Sequence, residues 1–237
     1  MSEWKQRRFW TQASIAPEEG GFGIRLDARA VRTPAKAALA VPGAALAQAI
    51  AAEWDAQAEL IDPNTMPLTR IANSAIDKVR PQREAVADMI AAYGQSDLLC
   101  YRAEGPPDLV ARQHRGWDPL LAWAQAALGA PLDVTTGVMP RPQPAASVSV
   151  LRAQVLDFDA YDLAPLHDLV ALSGSLVIGL AALHGHAPIE TLWALSRIDE
   201  TYQIEQWGHD DDAAETAAIK AGAFHDAARF HALRHAG

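Results

Sequence analysis

The sequence lacks most of the features that would assign it a chemistry. Its single cysteine, Cys100, excludes an internal disulfide and is typical of a reducing compartment. Acidic residues outnumber basic ones by 29 to 20, so nucleic acid is a poor partner. The longest uncharged run, LVALSGSLVIGLAALHGHAPI at residues 169–189, has an apolar part too short for a membrane span. It predicts a buried bundle helix, and no stable membrane insertion is expected.

Catalytic and nucleotide-binding signatures are also missing. The chain contains no GxGxxG, GxxxxGK[ST], GxSxG or HExxH motif. Its small-residue patch, residues 173–175, predicts close helix packing and does not have the form of a nucleophile elbow. These absences predict a protein without a cofactor and lower the expectation of an enzyme.

The N-terminal part has the pattern of a small antiparallel meander. Extended runs with aromatic and β-branched residues alternate with Gly and Asp turns, which predicts strands. The predicted strands cover residues 9–15, 22–27, 31–33 and a short edge at 39–41. An alanine-rich helix, residues 44–57, follows and is expected to cover the sheet.

The rest of the chain has the pattern of a helical domain. Helices are predicted at residues 81–94, 107–128, 145–156, 163–183, 188–207 and 213–236. The sequence therefore predicts an α+β fold with two parts. Residues 1–80 form a small, β-rich α/β N-terminal domain with its covering helix, and residues 81–237 form an all-α C-terminal domain.

The stretch DETYQIEQWG, residues 199–208, carries the most unusual pattern. On a continuous helix from residue 188 to 207, Glu200 falls in an apolar strip with Trp193, Ile204 and Trp207. An unpaired carboxylate buried there would be costly. Glu200 must therefore be paired with a cation, protonated, or open to solvent at the mouth of a groove.

A metalloenzyme that uses Glu200 or Glu205 with His209 is the alternative interpretation of this stretch. The four-residue spacing from Glu205 to His209 does not match the Glu-x-x-His pairs of di-metal bundles, and Gly208 interrupts the helix between them. A simpler interpretation is that Gly208 ends one helix and residues 210–212 begin the next. The histidines of the last helix are expected to form a solvated face near its end; they are His225, His231 and His235.

Motifs along nearly the whole chain resemble one family. They are RRFW, GFGIRLDARAVRTPAKAAL, AAEWDAQAELIDPNTMPLTRIANSAID, SDLLCYRAEGP, QHRGWDPLLAW, SGSLVIGLAALHG and DETYQIEQWG. The combination is similar to the ATP synthase assembly chaperones that bind the free alpha subunit of the soluble catalytic head. One departure is that Asp199 stands where the family motif has the first of two successive glutamates.

The resemblance implies a two-domain chaperone without catalysis. Such a protein would hold the unassembled alpha subunit until the beta subunit replaces it. The resemblance also places a functionally sensitive acid in the DETYQIEQWG motif, with Glu200 the first choice and Glu205 the second. The predicted partner-binding set is Asp199, Glu200, Gln203, Glu205 and Trp207, with no metal ligands. Glu200 is expected to meet a cation from the client or an inward arginine such as Arg70.

The resemblance leaves further features as expectations. We expect a monomer. We expect it in the bacterial cytoplasm, because the first strand starts too early to leave room for a transit peptide. If the source is eukaryotic, we expect the mitochondrial matrix. The strand edges around residues 22–26 have two interpretations. In the first, an exposed edge pairs with a strand of the client; in the second, the edges are paired within the sheet.

Overall fold

A computed structural model of the chain describes residues 7–236, which divide into two compact units. The first unit contains the described residues up to Arg83, the segment Ala160–Pro165 and the described residues from Arg229 onward. The second unit contains Glu84–Asp159 and Leu166–Ala228. The N-terminal region contains the sheet and the later part is mostly helical, so the predicted α+β class is confirmed.

The first unit is built on a four-stranded antiparallel sheet. Its strands are β1 (Ala13–Glu18), β2 (Gly21–Leu26), β3 (Arg29–Ala30) and β4 (Ala40–Val41). Strand β2 is central, since β1 pairs with one of its edges and β3 and β4 pair with the other. The edges around residues 22–26 are therefore used within the sheet, which favours the second of the two interpretations for this strand.

The first predicted strand begins later than expected. Residues 9–12 precede β1, and the last two backbone amides before it bond to a side chain and not to a neighbouring strand. Thr11 N and Gln12 N both donate to Asp27 Oδ1, at 3.1 Å each. The sequence pattern could not show this, because the acceptor lies in the turn after β2.

Helix α1 (Ala44–Asp55) packs on the sheet as predicted, with Leu46 and Ile50 completely buried. Its Glu53 then accepts hydrogen bonds from Leu68 N at 2.7 Å and Thr69 N at 2.8 Å, at the start of α2 (Pro67–Ser74). A carboxylate is favourable at a helix N-terminus, where backbone amides lack partners. This contact explains why EWDAQ and MPLTR occur together in one structural unit.

The later helices and strands follow in chain order. They are α3 (Arg83–Ala91), β5 (Tyr101–Arg102), α4 (Pro107–Leu128), β6 (Thr135–Thr136), α5 (Ala145–Asp157), α6 (Ala160–Ser173), α7 (Leu176–Leu183), α8 (Ile189–Ser196), α9 (Ile198–Trp207) and α10 (Asp211–His235). The short parallel pair of β5 and β6 is a departure from the all-α prediction. It ties the DLLCYR segment to the loop after α4.

The single helix predicted over residues 163–183 is wrong, because the chain breaks between α6 and α7. Gly174 has a φ of 73°, a conformation that favours glycine, and Ser175 caps α7 by accepting from Ile178 N at 3.0 Å. The buried Asp97 accepts from Val177 N at 3.0 Å as well. Most of α7 is buried, as the sequence predicted. Within residues 7–236, the structure contains no helix with the length and apolar character of a membrane span.

Candidate functional site

The DETYQIEQWG motif lies on α9, and this helix is separate from α8. The break is at Arg197, whose φ of −113° and ψ of 15° are outside the helical range. The predicted continuous helix from residue 188 to 207 is therefore wrong. The break also changes the direction in which the α9 side chains point, so Trp193 and Trp207 do not share one apolar strip.

One face of α9 packs against α4 through polar contacts. Tyr202 is buried, and its hydroxyl donates to Asp108 Oδ1 at 3.1 Å. Arg112, one turn further along α4, forms an ion pair of 2.7 Å with Glu205 and lies over the Tyr202 ring at 5.3 Å. Glu205 thus already has a cation within the same unit.

Asp199 is the acid of the motif that is most tightly built into the structure. Gln113 is 1% exposed, and its Nε2 donates to Asp199 Oδ1 at 2.6 Å. The Oε1 of the same amide accepts from Ala103 N at 2.8 Å. Both ends of this buried amide are therefore occupied. Through it, Asp199 connects the start of α9 to α4 and to Ala103, the residue that follows β5.

The contact between α4 and the α8–α9 break depends on a glycine. A Cβ at Gly116 would lie 2.7 Å from Leu195 Cδ2 and 2.8 Å from Ile198 Cδ1, so no larger residue fits without movement. Beside it, Trp117 Nε1 donates to the Leu195 carbonyl at 2.8 Å. That carbonyl is in the last turn of α8, where helical partners are missing. The break is therefore stabilised by the GW pair of the QHRGWDP motif.

The opposite face of α9 points outward and carries four residues of the motif. We define the outer face of α9 as Glu200, Gln203, Ile204 and Trp207, which are three or four residues apart and so share one side of the helix. Trp207 is 79% exposed and Ile204 is 46% exposed. Two apolar side chains therefore stand in solvent beside polar ones.

Of the three states predicted for Glu200, pairing with a cation is confirmed, whereas its burial in an apolar strip is wrong. Its side chain is 44% exposed, and its cation partner is Arg197, three residues earlier, with an ion pair of 2.8 Å. The suggested partner Arg70 is itself exposed. The break at Arg197 separates Glu200 from Trp193. Ile204 and Trp207 still share its side of α9, but they lie in solvent and do not bury it.

The structure does not bring together the residues of the metalloenzyme alternative. Glu205 pairs with Arg112, Glu200 pairs with Arg197, and His209 lies 3.5 Å from Asp211. Instead, Gly208 ends α9 with a φ of 96°, and Asp210 accepts from Ala213 N at 2.8 Å to cap α10. The simpler interpretation of this segment is confirmed. Among residues 7–236, three potential metal ligands converge in one place, at Asp162, His231 and His235.

Comparison with known proteins identifies the family. The model of the family described as ATP12 chaperone protein matches residues 7–125. The chain belongs to the ATP12 chaperone family. Its relatives include the mitochondrial protein atp12 of Schizosaccharomyces pombe, 26% identical over 221 residues, which are 88% of this chain and 76% of that protein.

Solved structures of the family have the same fold. Atp12 from Paracoccus denitrificans is 52% identical, with a TM-score of 0.94 over 98% of this chain and 100% of that one. An aspartate-to-lysine mutant of the P. denitrificans Atp12p matches equally well, with 52% identity, the same coverage and a TM-score of 0.95. The ATP12 family is a chaperone family of ATP synthase assembly, so the broad function implied by the resemblance is confirmed.

Sequence reasoning missed the α4 residues that organise this ATP12 site. The first two, Asp108 and Arg112, are one helical turn apart, and Gln113 follows directly. They contact Tyr202, Glu205 and Asp199 of α9, in that order. The helical spacing of these polar residues in α4 was visible. Their pairing with α9 was not, because it depends on the break at Arg197.

Proposed function

We propose that this ATP12 chaperone holds the unassembled alpha subunit of ATP synthase and that the outer face of α9 contacts it. The observation that carries the proposal is the exposure of Trp207 and Ile204 on a helix whose other face is firmly packed. Tryptophan is enriched among the residues that dominate binding energy at protein interfaces. A rigid helix presents such a side chain without the entropic cost of ordering a loop.

The charge around this face favours a client surface that is basic and partly apolar. Residues 199–215 include seven acids and contain no lysine or arginine. Arg197 and Arg112 neutralise Glu200 and Glu205 only in part, since both carboxylates remain more than 40% exposed. Charge complementarity of this kind directs a partner and fixes its orientation.

Release by competition is consistent with the absence of nucleotide-binding motifs in the sequence. An alpha subunit before assembly exposes the apolar surface that it later buries against its neighbour, and such surface aggregates when it is left uncovered. A chaperone that covers this surface can be displaced when the beta subunit binds more tightly. The holding step then needs no hydrolysis.

Co-expression with an isolated alpha subunit tests the proposal. We expect a soluble complex on size exclusion that dissociates when beta subunit is added. Trp207→Ala should weaken the complex by at least about tenfold, as expected for a hot-spot side chain. Met139→Ala is the matched control, because Met139 is similarly exposed, at 75%, but belongs to the loop between β6 and α5 and not to α9.

Charge reversal on the outer face of α9 provides a second test of the binding proposal. Glu200→Lys should lower the affinity while leaving the thermal unfolding temperature nearly unchanged, because the Arg197 ion pair is at the surface. Glu59→Lys, at another exposed acid, is the control. Equal affinity of the Trp207 and Glu200 variants and the wild type would show that the client binds elsewhere. An alpha subunit that aggregates regardless would refute the choice of client.

A further inference from the structure

Two histidines and one aspartate converge in the first unit. Asp162 lies in the first turn of α6, and His231 and His235 lie one helical turn apart near the end of α10. His231 Nδ1 is 3.1 Å and His235 Nε2 is 3.0 Å from Asp162 Oδ1. The predicted solvated histidine face is wrong for His231, whose side chain is only 16% exposed because it packs toward Asp162.

We propose that Asp162, His231 and His235 form a binding site for a zinc ion. Two imidazole nitrogens and one carboxylate oxygen are a donor set that zinc takes in proteins, with water in the fourth position. Histidines four residues apart on one helix present their rings on the same side, as paired zinc ligands do. The site involves no residue of α9 and does not rest on the proposed function.

The donor spacing is close to what a zinc ion needs. The three ligand atoms lie within 4.8 Å of one another. Tetrahedral ligands about 2.0–2.1 Å from zinc are about 3.3 Å apart. The two distances to Asp162 are slightly shorter than this, and the remaining adjustment falls on His235, which is 53% exposed and has room to rotate.

The surroundings hold two of the three ligands in place. Asp162 is 9% exposed at its side chain, and Phe230, next to His231, is completely buried. A Cβ at Gly43 would lie 3.0 Å from the Arg234 carbonyl, so the last turn of α10 sits directly against the backbone before α1. A fixed helix end lowers the cost of arranging ligands around an ion.

Arg234 is the group that opposes the ion. Its Nη1 contacts Asp162 Oδ1, and its guanidinium lies over the Tyr161 ring at 5.9 Å. An arginine can hydrogen-bond to a ligating carboxylate and orient it, but its positive charge repels a divalent cation. The arrangement therefore predicts a site of moderate affinity that becomes tighter when Arg234 is neutralised.

Zinc titration of the tag-free full chain by calorimetry, after treatment with a chelator, tests the proposal. We expect one zinc ion per chain and a higher thermal unfolding temperature when zinc is present. His231→Gln and His235→Gln should each lower the zinc affinity by at least about tenfold, since even changes beside a ligand have effects of this size. His225→Gln, on the same helix but outside the cluster, should leave it unchanged.

Two further measurements separate a built site from adventitious binding. Cobalt substituted for zinc should give the visible absorption of a tetrahedral nitrogen–oxygen site, and that absorption should be lost in His231→Gln. Arg234→Gln should raise the zinc affinity by about tenfold, because a neighbouring positive charge is removed. The proposal is overturned if the wild type binds no zinc, or if His231→Gln and His235→Gln bind it as tightly as the wild type.

Discussion

Replacing Asp199 by alanine should destabilise the protein more than replacing either glutamate of the same motif. Asp199 accepts a 2.6 Å hydrogen bond from Gln113, a residue with 1% of its surface exposed. Glu200 and Glu205 form ion pairs at 44% and 43% side-chain exposure. Although all three are acids of one helix, their truncation should therefore have unequal effects on the free energy of unfolding.

The expected magnitude follows from what each truncation leaves behind. In Asp199→Ala the Nε2 of Gln113 loses its acceptor, while the bond from Ala103 N to Oε1 holds the amide in its buried position. Leaving a buried donor unpaired costs about 1–3 kcal/mol. Truncating an exposed ion pair costs about 0–1 kcal/mol. We expect a difference of at least about 1 kcal/mol between Asp199→Ala and Glu200→Ala.

Urea unfolding of the three alanine variants measures these free energies by linear extrapolation. Asp199→Asn keeps an oxygen acceptor and should be close to the wild type. A double-mutant cycle with Gln113→Leu should give a coupling energy of at least about 1 kcal/mol, because both changes act on one bond. If Asp199→Ala costs no more than Glu200→Ala, the argument that Asp199 anchors α9 is refuted.

Three other predictions use different parts of the chain. A Cβ at Gly179 would lie 2.5 Å from a valine methyl, so Gly179→Ala should lower the free energy of unfolding in urea by about 1–3 kcal/mol. Gly222 lies in open space within α10, so Gly222→Ala should raise it by about 0.5–1 kcal/mol, and equal effects of the two changes would contradict the packing. Burial, with a smaller effect of the Asp97 charge, raises the pKa of the Cys100 thiol to about 12, so a thiol reagent at pH 8 should label it only after unfolding. The hydrogen bond to Asp168 raises the pKa of His167, so its stabilising contribution is complete below the unfolded pKa and is lost as the pH rises through the folded one. His167→Gln should flatten this dependence in thermal melts between pH 5 and pH 8, and an unchanged slope would contradict it.

Local signals in the sequence predicted the elements that end at clear boundaries. Helix α4 was predicted at residues 107–128 and has those bounds, because Pro107 is favourable in a first helical turn and Gly129 adopts the left-handed conformation after it. The strands of the meander were predicted from their alternation and turn residues. In each case the information lies within a few residues of the boundary.

Tertiary contacts decided the rest. The break at Arg197 involves no proline or glycine in α8 or α9, and it is held by Gly116 and Trp117 of α4, about eighty positions away in the chain. The meeting of Asp162 with His231 joins residues that are 69 positions apart. Periodicity within one segment contains no information about either contact, so sequence reasoning placed Glu200 in an apolar strip and His231 on a solvated face, and both placements were wrong.

The break at Arg197 also explains how a packed helix can keep an apolar outer face. Trp193, before the break, packs against Phe224 at a ring distance of 5.3 Å. In a continuous helix, Ile204 and Trp207 would fall on that same side and would be covered with it. Because α9 starts again after Arg197, the side that packs on α4 is set by Asp199, Tyr202 and Glu205, which all have partners there. Polar contacts thus hold the inner face of α9 while Trp207 stays in water, which leaves this side chain available for the contact proposed above.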